Sequence, residues 1–361
     1  MNQKTAIAAI AVVVIVCAIG AYFAFQDDGG SENEHDGTRS ITDLDGRTVT
    51  FDENVDKVFV DWAQGLVILM TLDEIDKQAV VASYMDEGDT FAWASIICPD
   101  FLNVPRDSAP YSNVEALLNY GPDIVFTIEK NSISKYESVG IPTAYVEFTD
   151  YEKFQESITL MAEVIGGDAP SIAKNYCDYM NGNIKLVEER LADLPDDERP
   201  TVYYMDGRTD SCLITVGSGE VEETWIETAG GNFSTKEFSG RAIEMTKEKF
   251  LELDPDIILI GAQWQAAAKD LLLADETLSG LSAIQNNQVY RIPQGLFPWC
   301  KMGPEQSMQM VWAGKLLHPE YFEDVNIEDM ARNFYKQFFD YDISDEYLDA
   351  ILSGKLSPTG A

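Results

Sequence analysis

Few residues in this chain have the types and spacing that enzyme chemistry requires. The carboxylate pairs Asp61/Asp86 and Glu222/Glu223 could serve as an acid and a base, but among 62 acidic residues such pairs arise by chance. The string "TVGSGE" is not the GxSxG motif of serine hydrolases, and neither a P-loop nor a GxGxxG motif follows a predicted strand. We therefore predict that the protein is not an enzyme.

The chain has few histidines, which argues against a site for a bare metal ion. The chain has only two, His35 and His318, whereas a bare zinc or manganese ion needs several imidazoles or carboxylates that converge on one point. We interpret His318 as a structural residue. The sequence predicts neither a bound metal cofactor nor any other cofactor.

Aromatic and basic residues stand near the ends of predicted strands, where a parallel α/β sheet binds its ligands. Aromatic side chains suit a large, partly apolar ligand, and arginine suits carboxylates, phosphates or an anionic chelate. The candidate ligand-binding residues are Trp62, Tyr84, Arg106, Tyr204, Arg241, Trp264 and Trp299. Phe297 and Lys301, which follow the last predicted strand, are further candidates. Because tryptophan and tyrosine also fill cores, we expect about half of these positions to contact ligand.

Strands alternate with helices in both halves of the chain. The first half has a hairpin that turns at Asp45-Gly46 and then the strands "KVFVDW", "AVVASYM", "DIVFTIE" and "TAYVEF". The second half has "TVYYMD", "DIILIG" and "QVYRIP", with helices around residues 222–228, 247–253 and 266–273. This alternation predicts two Rossmann-like α/β lobes, each built on a parallel sheet. The aromatic-rich segment from Pro304 to Gly354 predicts a helical tail.

One long helix is predicted between the two halves, over residues 168–195. Apolar residues at positions 172, 176, 180, 184, 187 and 191 form one helical stripe. Asp168 can cap the start, Pro170 suits the first turn and Pro195 ends the helix. Such a helix has about 24 residues and a length of about 36 Å.

A helix-turn-strand phrase occurs once in each half. It reads "NVEALLNYGPDIVF" at residues 113–126 and "TKEKFLELDPDIIL" at residues 246–259. Glu115 and Glu248 each fall in the first turn of a short predicted helix, where the helix dipole favours a carboxylate. Pro-Asp then ends the helix and begins a buried strand. A helix-turn-strand unit is ordinary in any α/β domain, but chance does not account for the matched spacing.

These segments resemble those of the substrate-binding proteins of ABC importers for iron complexes and cobalamin, in the class whose two lobes are joined by one long helix. The resemblance covers roughly residues 41–318. It rests on "ITDLDGRTVTF" before "DKVFV", on the two phrases above, on "WIETAGGNFS" and on "LSAIQNNQVYRIP". The tail is similar to an extension that some members carry.

The resemblance implies a function and a partner. A ligand would bind in the cleft between the lobes, and the long helix would restrict hinge motion to small changes. In this family a surface glutamate on each lobe docks onto arginines of the two permease subunits, which places that role on Glu115 and Glu248. We expect an iron chelate of the siderophore type as ligand, with a corrinoid such as cobalamin, or a haem, as the alternative. An extracellular sensor or enzyme on the same fold is the alternative from a different class.

The first 26 residues predict a membrane anchor. No charged residue lies between Ala6 and Phe25, and twenty helical residues span about 30 Å, the thickness of a bilayer core. Lys4 places the amino terminus in the cytoplasm and the rest of the chain outside the cell. Lipidation at Cys17 is the alternative, which the bulky Val16 disfavours.

The amino-acid composition also limits which molecules can bind the protein. The net charge of −37 opposes binding to nucleic acid and to anionic lipid heads. We expect a monomer that works with an ABC permease dimer and its ATPase. Outside the anchor the cysteines are scattered, so we expect buried free thiols with room for one bridge. They are Cys98, Cys177, Cys212 and Cys300.

The predicted organisation is therefore an α/β protein with two lobes, a linking helix, a helical tail and an N-terminal transmembrane helix. Its divisions are an anchor at residues 1–26, an acidic flexible tether at 27–40, a first lobe at 41–167, the linking helix at 168–195, a second lobe at 196–303 and the tail at 304–361.

Overall fold

The computed structural model describes residues 37–83, 91–110, 112–207, 213–261 and 265–358. The strands are β1 Thr38–Thr42, β2 Thr48–Asp52, β3 Val58–Val60, β4 Val81–Ala82, β5 Arg106–Asp107, β6 Ile124–Thr127, β7 Thr143–Tyr145, β8 Thr201–Asp206, β9 Ile214–Thr215, β10 Asn232–Phe233, β11 Ile243–Glu244, β12 Ile257–Gly261 and β13 Val289–Arg291. The α-helices are α1 Ala63–Thr71, α2 Ala92–Ile97, α3 Val114–Leu117, α4 Lys130–Glu137, α5 Tyr151–Ile165, α6 Ala169–Arg190, α7 Val221–Thr228, α8 Lys247–Leu253, α9 Gln265–Ala274, α10 Ser282–Gln285, α11 Gln306–Leu317, α12 Ile327–Phe339 and α13 Asp345–Leu352.

The first lobe is built on the parallel sheet β3-β6-β7, with β1 paired to β2 and β4 paired to β5 nearby. All residues of β3 and β6 are buried, as a parallel sheet covered on both faces requires. The amide of Gln78 extends the sheet toward β4, because it accepts from the Val60 N–H at 3.1 Å and donates to the Val80 carbonyl at 2.8 Å. The strands predicted in this lobe are confirmed, although the ladders are shorter than the apolar runs.

The second lobe is built on the four-stranded sheet β10-β8-β12-β13, in which every adjacent pair is parallel. β12 lies at its centre and is fully buried. A short antiparallel pair, β9 and β11, stands beside this sheet. The mixed α/β architecture expected from the alternation of strands and helices is therefore confirmed.

The long helix α6 occupies Ala169–Arg190, with 22 residues. Asp168 precedes it but caps no N–H with its side chain, because its own backbone already has helical dihedrals. That part of the prediction is wrong. Side chains along α6 bind the segment that follows the second lobe, and they are those of Tyr176, Asn183 and Arg190. Tyr176 donates to the Pro304 carbonyl at 2.9 Å, and Asn183 donates to the Ser307 carbonyl at 2.9 Å.

The tail is helical, as predicted, and its end contacts both lobes. The indole N–H of Trp93, in the first lobe, donates to the Lys355 carbonyl at 2.8 Å. The amide of Gln265, in the second lobe, donates to the neighbouring Gly354 carbonyl at 2.9 Å. Gly354 has a φ of +71° and leaves no room for a side chain, since a Cβ would lie 2.6 Å from the Ile292 carbonyl. Glycine is therefore required where the chain turns between these contacts.

The repeated phrase forms the same local structure in both lobes. Helix α3 continues into a 3-10 helix, Leu118–Tyr120, that ends at Gly121, and α8 ends at Asp254; both end residues have left-handed dihedrals. The aspartate of Pro-Asp then ties the turn to the first strand of its sheet. Asp123 accepts from the Lys57 N–H at 2.8 Å, and Asp256 accepts from the Thr201 N–H at 2.7 Å. Each aspartate thus fixes the register at which its strand enters the sheet.

The predicted anchor lies outside the described residues, and within those residues no helix is long and apolar enough to cross a membrane. β1 begins at Thr38, inside the range predicted as tether, and the Ser40 hydroxyl contacts that of Thr50 at 2.8 Å.

We expect Asp123→Ala and Asp256→Ala each to lower the free energy of unfolding by about 1–2 kcal/mol, because each removes an acceptor from backbone N–H groups at the start of a strand. The urea midpoint of each purified variant measures the change. Asp178→Ala, which removes an exposed carboxylate from the surface of α6, is the control. Equal midpoints for Asp256→Ala and Asp178→Ala would contradict the assigned role.

Candidate functional site

A cavity of about 310 Å³ lies between the two lobes, at the carboxyl ends of strands from both sheets. The first lobe contributes residues that follow β3, β6 and β7. The second lobe contributes the start of α7, the segments around β9 and β11, and the loop after β13. The lining residues are Gln64, Ile128, Phe148, Thr149, Val216, Gly219, Glu220, Val221, Glu222, Arg241, Phe297, Lys301 and Met302.

A buried ion cluster forms one side of this cavity. The Lys301 ammonium is paired with Glu222 and lies 3.6 Å from an Asp206 carboxylate oxygen. The same ammonium stands 5.1 Å from the centre of the Tyr204 ring. Burial lowers the pKa of Lys301, but Glu222, Cys300 and Asp206 together raise it above its ordinary value, so Lys301 is charged. Two buried carboxylates therefore share one ammonium.

A second ion pair lies at the solvent side of the cavity. Arg241 contacts Glu220 at 3.0 Å, and 80% of the Arg241 side chain is exposed. Glu220 immediately precedes α7, whose N-terminal turn also carries Glu222. The carboxylate of Glu223 accepts from the Gly219 N–H at 2.7 Å, which holds the turn before α7 in place.

Aromatic side chains form the apolar walls. Phe148 of the first lobe packs against Trp62 at 5.4 Å and against Phe154 at 5.2 Å between ring centres. Phe297 of the second lobe faces Phe91 of the first lobe at 6.4 Å. Both walls are therefore supported by other rings, which limits their freedom to rotate.

The loop that supplies Phe297, Lys301 and Met302 is held by the buried carboxyl group of Glu305. This group accepts from the Leu296 N–H at 3.0 Å and from the Phe297 N–H at 2.9 Å. The Tyr335 hydroxyl of α12 donates to it as well. Burial raises the pKa of Glu305 to about 7, and the donated hydrogen bonds oppose that shift.

The structure brings some of the predicted ligand-binding residues to the cavity. Arg241 lines it directly. Trp62 lies behind Phe148, and Tyr204 lies beneath Lys301 with its ring fully buried. Trp62 and Tyr204 thus support residues that line the cavity.

Two other predicted residues, Arg106 and Trp299, do not line the cavity. The Arg106 guanidinium stacks on Phe101 at 4.7 Å and donates to the Phe101 carbonyl at 3.0 Å. Trp299 is fully buried in the loop after β13. Tyr84 and Trp264 lie outside the described residues. A direct ligand contact for these four residues stays a prediction.

Several lining residues were not singled out from the sequence. Ile128 and Phe148 follow β6 and β7, so the rule that placed candidates at other strand ends also applied to them. Glu220 and Met302 had no comparable signal, because they stand in turns whose path depends on tertiary contacts.

The residues considered for chemistry have structural partners. Asp61 accepts from the Thr127 hydroxyl at 2.8 Å and from the Tyr136 hydroxyl at 3.0 Å. Burial raises the pKa of Asp61, and these two hydrogen bonds oppose the shift. His318 is buried with a ring nitrogen 3.1 Å from the Gly230 carbonyl. Asp86 lies outside the described residues.

The cysteines within the described residues carry free thiols: Cys98, Cys177 and Cys300. Burial raises the pKa of Cys98 and of Cys177 to about 11. Cys17 and Cys212 lie outside the described residues.

The matched glutamates do not line the cavity and are exposed. Glu115 is in the first turn of α3 and Glu248 in the first turn of α8. Three residues after each glutamate stands an exposed leucine, Leu118 at 47% and Leu251 at 36% relative accessibility. Each lobe thus presents to solvent a glutamate and, three residues later, a leucine.

A second cavity, of about 610 Å³, lies against the tail between α11 and the segment before α12. It is open to solvent, and Lys315 at its edge donates to the Phe322 carbonyl at 3.1 Å. It is remote from the strand ends of both sheets, so we do not assign the ligand to it.

Two parallel sheets, one long helix and a cavity between the sheets define a two-lobed solute-binding protein of the class with a helical link. The chain belongs to the periplasmic-binding-protein family, whose model matches residues 103–296, more than half of the chain. The resemblance to substrate-binding proteins of ABC importers is thereby confirmed. The family and its structural neighbours are solute-binding proteins of transporters rather than enzymes.

Two curated proteins are similar along most of their length. The molybdate-binding protein MolA of Haemophilus influenzae is 25% identical over 329 residues, which cover 83% of this chain and 91% of that protein. The Fe(3+)-citrate-binding protein YfmC of Bacillus subtilis is 22% identical over 293 residues, covering 79% and 88%. A periplasmic solute binding protein from Veillonella parvula has the same fold, with a TM-score of 0.75 at 22% identity and coverage of 87% and 97%.

The buried Glu305 makes stability depend on pH. The folded protein keeps this proton up to about pH 7, whereas an unfolded glutamate loses it near 4.5, so stability falls as pH rises between these values. In the wild type this fall in the free energy of unfolding amounts to about 3 kcal/mol, and we expect Glu305→Gln to abolish it. Urea unfolding of both proteins from about pH 4 to about pH 8 measures the difference. Glu198→Gln, at an exposed site, is the control, and parallel curves for wild type and Glu305→Gln would contradict the role.

Proposed function

We propose that this protein captures an iron chelate in the cavity between its lobes and delivers it to an ABC permease. The observation that carries this proposal is the cavity itself, which combines supported aromatic walls with fixed charged groups at the strand ends of two sheets. That combination suits a metal complex with an apolar exterior and a few polar groups.

The size of the cavity supports a compact chelate. Its volume of about 310 Å³ is near the lower end of the range for drug-sized ligands. A corrinoid or a haem remains the alternative ligand and would require the walls to separate. We do not propose a bare zinc or manganese ion, because the chain has only two histidines.

Both relatives are named for a ligand that contains a metal. One is described as binding molybdate and the other as binding Fe(3+)-citrate. The second name supports an iron chelate.

Iron-chelate binding can be followed by tryptophan fluorescence, because the chain has six tryptophans. We expect saturable quenching by an iron(III) chelate. We also expect Phe148→Ala and Phe297→Ala each to weaken binding by about tenfold through loss of apolar contact. Tyr290→Ala, which removes a half-buried ring of β13 that does not line the cavity, should bind as the wild type does. Quenching that is equal in all four proteins would contradict this binding site. Hydrolysis of a substrate would favour an enzyme on the same fold.

The docking role belongs to Glu115 and Glu248, each with its neighbouring leucine. Their exposure and their equivalent positions in the two lobes suit a partner with two related subunits, each offering a cation beside an apolar surface. An ABC permease dimer with its ATPase is such a partner. The predicted N-terminal anchor would keep the protein on the extracellular face of the membrane beside it.

We expect Glu115→Ala combined with Glu248→Ala to abolish chelate uptake by cells that express the permease and ATPase, while chelate affinity stays unchanged, because the two carboxylates lie outside the cavity. Glu152→Ala combined with Glu328→Ala is the matched control, since both are exposed first-turn glutamates of other helices. Normal uptake by the Glu115/Glu248 variant, or loss of binding, would contradict the docking role.

A further inference from the structure

The helical tail carries a groove that the proposed function does not use. Its first part has a volume of about 610 Å³ and lies between α11 and the segment that leads into α12. Its second part, of about 620 Å³, lies beside the start of α12 and the end of α13. Glu328 and Leu352 line both parts, so the two are adjacent, and we call them together the tail groove.

Apolar side chains form the floor of the tail groove. They come from α11, from the segment before α12, from the start of α12 and from the end of α13, and they are Trp312, Leu316, Val325, Ile327 and Leu352. All five pack against the hydrophobic core on one side, yet each stays only half-buried. A contiguous apolar surface that includes a tryptophan is typical of a site for a protein partner.

The groove is held in shape by contacts within the chain. Arg190 of α6 binds both carboxylate oxygens of Asp324, at 2.6 and 2.8 Å. Lys315 of α11 donates to the Phe322 carbonyl at 3.1 Å and also to the Val325 carbonyl. The segment before α12 is therefore fixed at two points, and the groove exists before any partner binds. A preformed site of this kind loses little conformational entropy on binding.

Carboxylates form the rim of the tail groove. Glu323 and Glu328 line its first part, and Glu346 and Asp349 line its second part. All four are exposed, and within the described parts of the chain no lysine or arginine forms an ion pair with them. Lys355 is the cation that lines the second part. The rim thus offers acidic groups on both parts of the groove to an incoming cation.

An apolar floor with an acidic rim is complementary to a basic amphipathic helix. Such a helix would place its apolar face on the floor and its lysines and arginines beside the carboxylates. A membrane surface fits less well, because anionic lipid heads would face the same carboxylates. A second copy of the chain also fits less well, because each copy carries a net charge of −37.

We infer that the tail groove is a docking site for a basic amphipathic helix of a partner protein. Trp312 is the central apolar contact, and the rim carboxylates select for positive charge. The inference goes beyond the proposed function and does not depend on it, because the groove shares no lining residue with the cavity between the lobes.

The test uses a fluorescein-labelled peptide of about 14 residues, roughly four helical turns, with leucines on one helical face and lysines on the other. Fluorescence anisotropy measures its binding to the full chain in mild detergent at physiological salt. A peptide of the same residues in shuffled order keeps the charge but has no apolar face. We expect the amphipathic peptide to bind at least about tenfold more tightly than the shuffled one. Equal affinities, or no binding of the amphipathic peptide, would overturn the inference.

Charge variants separate the groove from the acidity of the whole chain. Glu323→Gln with Glu346→Gln removes one rim carboxylate from each part of the groove, and we expect the amphipathic peptide to bind about tenfold more weakly. Glu152→Gln with Glu198→Gln makes the same change of net charge at exposed sites outside the groove, and should bind as the wild type does. Equal weakening in both variants would overturn the inference, since it would assign binding to net charge.

The apolar floor is tested by Trp312→Ala, which we expect to weaken binding of the amphipathic peptide by about tenfold and to leave the shuffled peptide unaffected. Leu316→Ala serves the same purpose if loss of the larger ring prevents folding. Unchanged binding of the amphipathic peptide to a folded floor variant would overturn the inference.

Two further measurements test the other occupants. Sedimentation of the wild type that shows a dimer, with a monomer for the floor variant, would overturn the inference in favour of a second copy. Brominated lipid in vesicles that hold the full chain would quench Trp312 if the groove faced a membrane, and the difference between wild type and Trp312→Phe would report it. Such quenching would also overturn the inference, whereas a monomer without that quenching supports it.

Discussion

The buried carboxyl group of Glu305 joins three parts of the molecule that meet behind the cavity. It accepts from two consecutive backbone N–H groups of the loop after β13 and from Tyr335 in the tail, and it precedes α11, which packs along α6. An added Cβ at Gly295 would lie 1.9 Å from one of its oxygens, so the loop is pressed against the carboxyl group. The positions of Phe297 and Lys301, and hence the walls and charges of the cavity, depend on this contact.

The architecture was predictable because it depends on patterns that are local in sequence. The strands around β6 and β12 are apolar runs bounded by Pro-Asp and by polar residues, and the stripe along α6 has a clear helical period. Parallel sheets require such runs, since both of their faces are covered. Strand length was less predictable, because β7 ends at Tyr145 while the predicted strand continues to Phe148, which lines the cavity. Asp168 illustrates the same limit, since its capping role depended on dihedrals that the sequence does not determine.

The site was predictable in location and only partly in composition. The rule for strand ends led to Phe297 and Lys301, and Arg241 was chosen as a basic residue just before the second helix-turn-strand phrase. The partner of a charged residue, however, depends on tertiary structure. Glu222 was weighed as an acid or base, and its role as a partner of Lys301 appears only when α7 meets the loop after β13. Tyr204 and Trp299 were chosen for their aromatic character, and both are buried, as large rings commonly are in cores. Glu305 gave no signal at all, because a buried glutamate is rare and its sequence surroundings are ordinary.

The end of the tail has a mechanical consequence for how this receptor works. The adjacent carbonyls of Gly354 and Lys355 accept hydrogen bonds from different lobes. Trp93 of the first lobe donates to Lys355, and Gln265 of the second lobe donates to Gly354. The lobes are therefore connected at the tail as well as through α6. A second attachment between the lobes would restrict twisting about the helical link. A protein built in this way would spend little binding energy on closing around its ligand. Release of the ligand would then depend on the proposed permease and ATPase to separate the lobes, rather than on spontaneous opening.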